Sequence, residues 1–135
     1  MLNSNPHKPF ELLLVEDNLE ELRAAGTALA EAEFPINLRV SQDGATMALL
    51  RQEGEFQDVP RPDLILLDLH LRSSAIDLLR EIKEDEDLKN IPVAVLGPCS
   101  EQAIDESFEH AADLYIAKPL DPHRLIMTVN WAQGL

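Results

Sequence analysis

Two hydrophobic periods alternate along the chain. Phe10 to Val15 is a compact apolar run, broken only by Glu11 and closed by the acidic pair Glu16-Asp17, which predicts a strand. From Asn18 onward Leu19, Leu22, Ala25, Ala28 and Leu29 recur at helical spacing among good helix formers. Pro35 ends that segment, and Ile36 to Val40 reads as a second strand. Gln42-Asp43-Gly44 punctuates the chain, with Asp43 as the expected N-cap of a helix through about Arg51. Gly54 to Pro62 is loop by composition.

Leu64-Ile65-Leu66-Leu67 is wholly apolar and ends in Asp68, and Ile91 to Leu96 repeats the signature before Gly97-Pro98. Continuous runs of this kind suit parallel strands with helices on both faces. Helices are expected from roughly Ser74 to Glu84, capped by Ser73 or Ser74, and from about Ser100 to His110. Leu114 to Ala117 is a fifth strand, and Asp121-Pro122 opens a last helix, with Pro where its missing N–H costs nothing. Five strand–helix units in strict alternation predict an α/β fold, a five-stranded parallel sheet with helices on both faces. Ligands of such sheets bind at the carboxyl ends of the strands, near the point where strand order reverses.

A length of 135 residues fits one domain, taken as 9–135 behind a flexible segment 1–8. No apolar window is long enough to span a bilayer and the start lacks the apolar stretch of a signal peptide, so a cytoplasmic protein is expected. The single cysteine, Cys99, can form no internal disulfide. A net charge of −14 opposes direct nucleic-acid binding and docking on anionic membranes, both of which select Lys and Arg clusters. Most of the acids read as solvated exterior. Those at the strand ends need a separate reason.

Strand one ends in Glu16-Asp17, strand three in Asp68, strand four in Gly97-Pro98 and strand five in Lys118-Pro119. Each alone has a bland explanation: Asp17 or Asn18 capping a helix, Asp68 stabilising a turn, Lys118 at the surface. Parallel strands, however, bring three carboxylates and one ammonium to one sheet edge. Crowded carboxylates need a cation to stay ionised, and oxygen-only ligands with room for water suit Mg²⁺. A carboxylate beside Mg²⁺ and a lysine is also a nucleophile for phosphoryl transfer.

Val15-Glu16-Asp17-Asn18, Leu66 to Leu71 and Tyr115 to Asp121 together resemble the three signature segments of response-regulator receiver domains, over about Pro9 to Ala132. Asp87 to Val93, with no output domain attached, looks most like the small response regulators paired with bacterial phytochromes. The resemblance implies the flavodoxin-like (βα)5 fold and a non-enzymatic, single-domain signalling role. Asp68 would accept a phosphoryl group from a sensor histidine kinase, bacterial phytochromes included. Asp17 would bind Mg²⁺ directly, Glu16 through water, and the backbone carbonyl of His70 would add a ligand. Lys118 would contact the phosphoryl group, Pro119 would follow a cis peptide bond, and Tyr115 would be the switch aromatic that turns inward on activation. Output would pass through a downstream protein, or through a homodimer of the fourth helix, fifth strand and fifth helix.

The pattern breaks at strand four, where the family keeps Thr or Ser and this chain has Gly97. Pro98 also removes the backbone N–H expected next. Losing hydrogen bonds to a charged group costs roughly 1.5–3 kcal/mol each. Three readings stay open: Ser100 or Cys99 reaches inward, Asp68 is phosphorylated with a weakened switch, or the domain is a phosphorylation-independent interaction module. After Asp68, Arg72 and Ile76 replace the usual Pro and Gly, read as tolerated loop variation. His7, His110 and His123 have no metal-ligand spacing to Cys99, itself read as a small packing residue. Met127 and Trp131 fall beside the core face marked by Leu125 and Val129, at the end of the core or on a contact surface. A haloacid-dehalogenase-type phosphatase fits poorly, since its nucleophile follows the first strand and a second Asp stands where His70 is.

Overall fold

The computed structural model describes residues 8–70 and 75–135. The flexible segment 1–8 apart from Lys8, His7, Arg72 and the caps Ser73 and Ser74 therefore lie outside the described residues. In chain order the elements are β1 (Phe10–Val15), α1 (Leu19–Leu29), β2 (Ile36–Ser41), α2 (Thr46–Leu50), β3 (Leu64–Asp68), α3 (Ala75–Glu84), β4 (Val93–Gly97), α4 (Glu101–Glu109), β5 (Leu114–Ala117) and α5 (Pro122–Gln133). The strands form one sheet in the order β2-β1-β3-β4-β5, every neighbouring pair parallel.

The apolar runs of β1, β3 and β4 are continuous because each of these strands is covered twice. Leu12 and Leu14, Leu64 and Leu66, and Ala94 and Leu96 pack with Ala25, Ala28 and Leu29 of α1 and Leu125 and Val129 of α5. Their chain neighbours Leu13 and Val15, Ile65 and Leu67, and Val93 and Val95 point the other way, into Leu49 and Leu50 of α2 and Leu78, Leu79 and Ile82 of α3. The alternation follows from the two-residue period of a pleated strand. Each leucine so covered contributes on the order of 1.5–3 kcal/mol relative to an exposed one.

Three boundaries differ from the sequence expectation. Helix α2 begins only at Thr46, after a 3-10 turn over Asp43–Ala45, so its N-cap position falls on Ala45 and not on Asp43. The Thr46 hydroxyl meets the Ser41 hydroxyl at 2.9 Å and donates to the Gln42 carbonyl, tying the turn to the end of β2. A second 3-10 turn, Gly54–Phe56, interrupts the loop read from composition. Strand β4 starts at Val93 because Pro92 has no N–H for the ladder; its carbonyl still accepts from Ile65.

The order of strands reverses between β1 and β3, which opens a crevice at their carboxyl ends. Among the described residues, no helix is long and apolar enough to cross a membrane.

Candidate functional site

Glu16 extends β1 by one residue, its N–H donating to the Ser41 carbonyl, and it is 2% exposed. Its Oε1 accepts from the N–H groups of Asp17 and Asn18, each at 3.0 Å. Asn18 in turn caps α1, its Oδ1 accepting from the Glu21 N–H at 3.1 Å. Asp68 closes β3 and is wholly buried. Its Oδ1 accepts from the His70 N–H at 2.8 Å, and its Oδ2 receives the Lys118 ammonium at 2.6 Å. Lys118 leaves β5 with its N–H on the Gly97 carbonyl, and the Lys118–Pro119 peptide bond is cis.

The structure thus brings Glu16, Asp68 and Lys118 together, and it adds Glu21. Lys118 Nζ stands 2.7 Å from Glu21 Oε1 as well as 2.6 Å from Asp68. Carboxylate oxygens of Glu16, Glu21 and Asp68 all lie within 4.8 Å of one another. Asp17 is exposed and is not a member of this group, and His70 is exposed with its N–H turned to Asp68.

Sequence reading missed Glu21, although a signal was present. Asn18-Leu19-Glu20-Glu21 has the spacing of a capping box, whose acid normally returns to the N–H of the cap residue. Here Glu16 already holds that N–H, so the Glu21 side chain reaches across to Lys118 instead.

Burial and the neighbouring groups move the two buried carboxyls in opposite directions. Burial first, then the facing carboxyls of Asp68 and Glu21, push Glu16 up to about 9, against the lowering effect of the Asn18 N–H. Burial would raise Asp68 too, but the neighbouring Glu16 and Glu21 carboxyls, Lys118 and the His70 N–H outweigh it and hold Asp68 well below the usual carboxylate range. Of these two, Asp68 is favoured as the carboxylate and Glu16 as the neutral acid. Desolvation opposes the charge on Lys118, and Asp68 and Glu21 more than restore it, raising its pKa. The donor set is oxygen only, and Glu16 Oε2 is buried without a hydrogen-bond partner, so the residues fit a hard divalent cation.

Across β4 and β5 the missing hydroxyl at Gly97 has a visible counterpart. A Cβ on Gly97 would collide with the Tyr115 hydroxyl and stand 2.7 Å from Leu69 Cδ1 and 3.1 Å from Tyr115 Cζ. The tyrosine ring is partly buried against the core, and its hydroxyl donates to the Pro98 carbonyl at 2.6 Å. Burial, helped by Cys99 and opposed by Lys118, raises the Tyr115 pKa. Ser100 uses its hydroxyl oxygen as the N-cap of α4, accepting from Ala103. Cys99 is exposed, which corrects its reading as a packing residue: it follows Pro98 in the loop before α4 begins, outside both apolar clusters.

Residues 12–130 match the family model described as the response regulator receiver domain. The chain belongs to the response-regulator receiver family. This receiver is 41% identical over 118 residues to response regulator Rcp1 of Synechocystis sp., covering 85% of this chain and 79% of that protein. It is similar to the phosphorylated cyanobacterial phytochrome response regulator RcpA, at TM-score 0.80 and 38% identity over 94% of this chain and 93% of the other. Against the Mn²⁺-bound form of Rcp1 the TM-score is 0.78 at 36% identity, covering 94% of each chain.

Proposed function

We propose that this receiver accepts a phosphoryl group on Asp68 from the phosphohistidine of a sensor histidine kinase and signals through protein contacts. The observation that carries the reading is Asp68 itself: wholly buried, ionised, and 2.6 Å from the Lys118 ammonium at the end of β3. A carboxylate oxygen of Asp68 attacks phosphorus, and the electron pair of the breaking P–N bond returns to the imidazole. The His70 N–H on Asp68 Oδ1 fixes the carboxylate plane, and Lys118 stands where charge on the phosphoryl oxygens must be met. Glu16, Asp17, Asp68 and the His70 carbonyl are the proposed holders of Mg²⁺, which supplies positive charge against those oxygens when bound.

Intact mass after incubation with Mg²⁺ and acetyl phosphate tests this directly. The expected result is one added phosphoryl group in the wild type and none in Asp68→Asn. Mg²⁺ binding without phosphoryl gain, repeated with a histidine kinase as donor, would leave the alternative of a phosphorylation-independent module. That second reading draws on Tyr115, whose hydroxyl already fills the space beside Gly97 and holds the Pro98 carbonyl.

The likeness to RcpA, a cyanobacterial phytochrome response regulator, supports a phytochrome-type kinase as the upstream partner. For output, Phe108 on α4 and Met127 and Trp131 on α5 are 47%, 55% and 37% exposed. We propose a homodimer contact through α4, β5 and α5, because exposed aromatic and Met side chains favour interfaces. Light scattering at high micromolar concentration is expected to give twice the chain mass. A monomer there removes the proposal.

A further inference from the structure

We infer that Glu21 is a further carboxylate ligand of the divalent cation, beside those named above, and that it exchanges Lys118 for the cation when the site fills. The inference rests on the reading above that this site takes a cation. Its starting point is a count of partners. Glu16 has one oxygen committed to the Asp17 and Asn18 N–H groups and the other buried with no partner. Asp68 has one oxygen on the His70 N–H and the other on Lys118. Among the described residues, the Glu21 side chain is held by Lys118, at 2.7 and 2.9 Å through its two oxygens. The three residues present oxygens within 4.8 Å of one another, so one cation can be reached from all of them.

Position and chemistry both favour Glu21 in this role. It lies in the first turn of α1, fixed through its own N–H to the Asn18 cap. Because Asn18's N–H is taken by Glu16, that N–H does not compete for the Glu21 carboxylate. Lys118 does compete, as the only cation shown on both Glu21 and Asp68 among the described residues. A ligand bond from Glu21 replaces that ion pair and leaves Lys118 with Asp68, where a phosphoryl group would sit. Glu21 would then make the availability of Lys118 depend on the metal.

Mn²⁺ binding, read by electron paramagnetic resonance of the free ion, tests this without any phosphorylation step. Glu21→Gln keeps the side-chain shape and is expected to weaken Mn²⁺ binding roughly tenfold or more, the usual size for losing a group that holds or orients a metal. Glu20→Gln, which removes a neighbouring exposed charge, is expected to change it little. Equal weakening by both variants, or none by Glu21→Gln, would overturn ligation. The exchange is read in the same assay: Lys118→Ala should tighten Mn²⁺ binding more when Glu21 is present than in the Glu21→Gln background. Equal tightening would make the two residues independent and overturn it. A wild type that binds Mn²⁺ through Glu21 yet gains no phosphoryl group would sink the proposed function and leave this inference standing.

Discussion

Lys118→Ala is expected to destabilise the metal-free protein by about 3 kcal/mol near neutral pH, the low end for stripping one partner from a buried ion pair. The effect is large because Lys118 is the ammonium on Asp68, which is wholly buried, and on Glu21 as well. It stays at the low end because Lys118 keeps some solvent contact and Glu16 already carries a proton. The pH dependence gives the mechanism away. In the wild type the Asp68 pKa is depressed, so its stabilisation is present above its unfolded value, about 3.9, and is lost as pH falls through the lower native one. Losing Lys118 removes one of the groups that lower the Asp68 pKa, so the variant protonates Asp68 at a higher pH than the wild type and loses less by doing so as the pH falls. Urea unfolding with a chelator present should therefore show a difference that is greatest near neutral pH and shrinks as the pH falls into the acid range. A constant difference across that range would mean that Lys118 acts through packing of its stem and not through its charge.

How much of this was legible depends on how local each feature is. The three inner strands could be read because they are buried on both faces: runs such as Leu64 to Leu67 carry no solvent-facing positions to blur the pattern. Their parallel order followed from the alternation with helices, and that alone brought Glu16, Asp68 and Lys118 to one edge. Glu21 carried only the signal of a local cap, since an acid in the first turn of a helix is equally explained by a capping box or the helix dipole. Its role appears only when Lys118, 97 residues away, is seen against it. Helix α2 was read too long for a similar reason, since the Thr46 hydroxyl bonds that shape its start run back to Ser41 and Gln42. The substitution at Gly97 was visible as a loss, but the sequence held no sign that Tyr115 occupies the vacated space.

That occupation sets up the other large effect, at Gly97→Thr. Threonine would restore a hydroxyl at the end of β4, yet its Cβ would have to take the place of the Tyr115 hydroxyl and crowd Leu69 at 2.7 Å. Backbone cannot absorb this easily, because Gly97 lies within the β4 ladder opposite Ala117. The ring must swing out, giving up its bond to the Pro98 carbonyl. Overpacking of this kind costs roughly 1–3 kcal/mol. Tyr115 is the only tyrosine in the chain, so absorbance titration of tyrosinate reports on it alone. In the wild type burial holds its pKa above the ordinary value, and ionisation should come late. In Gly97→Thr it should return to about 10, that of a solvated tyrosine, because the ring has left its shelter. If the pKa stays raised while stability falls, the ring has kept its place and Leu69 has yielded instead, and glycine at this position would not be what admits the tyrosine.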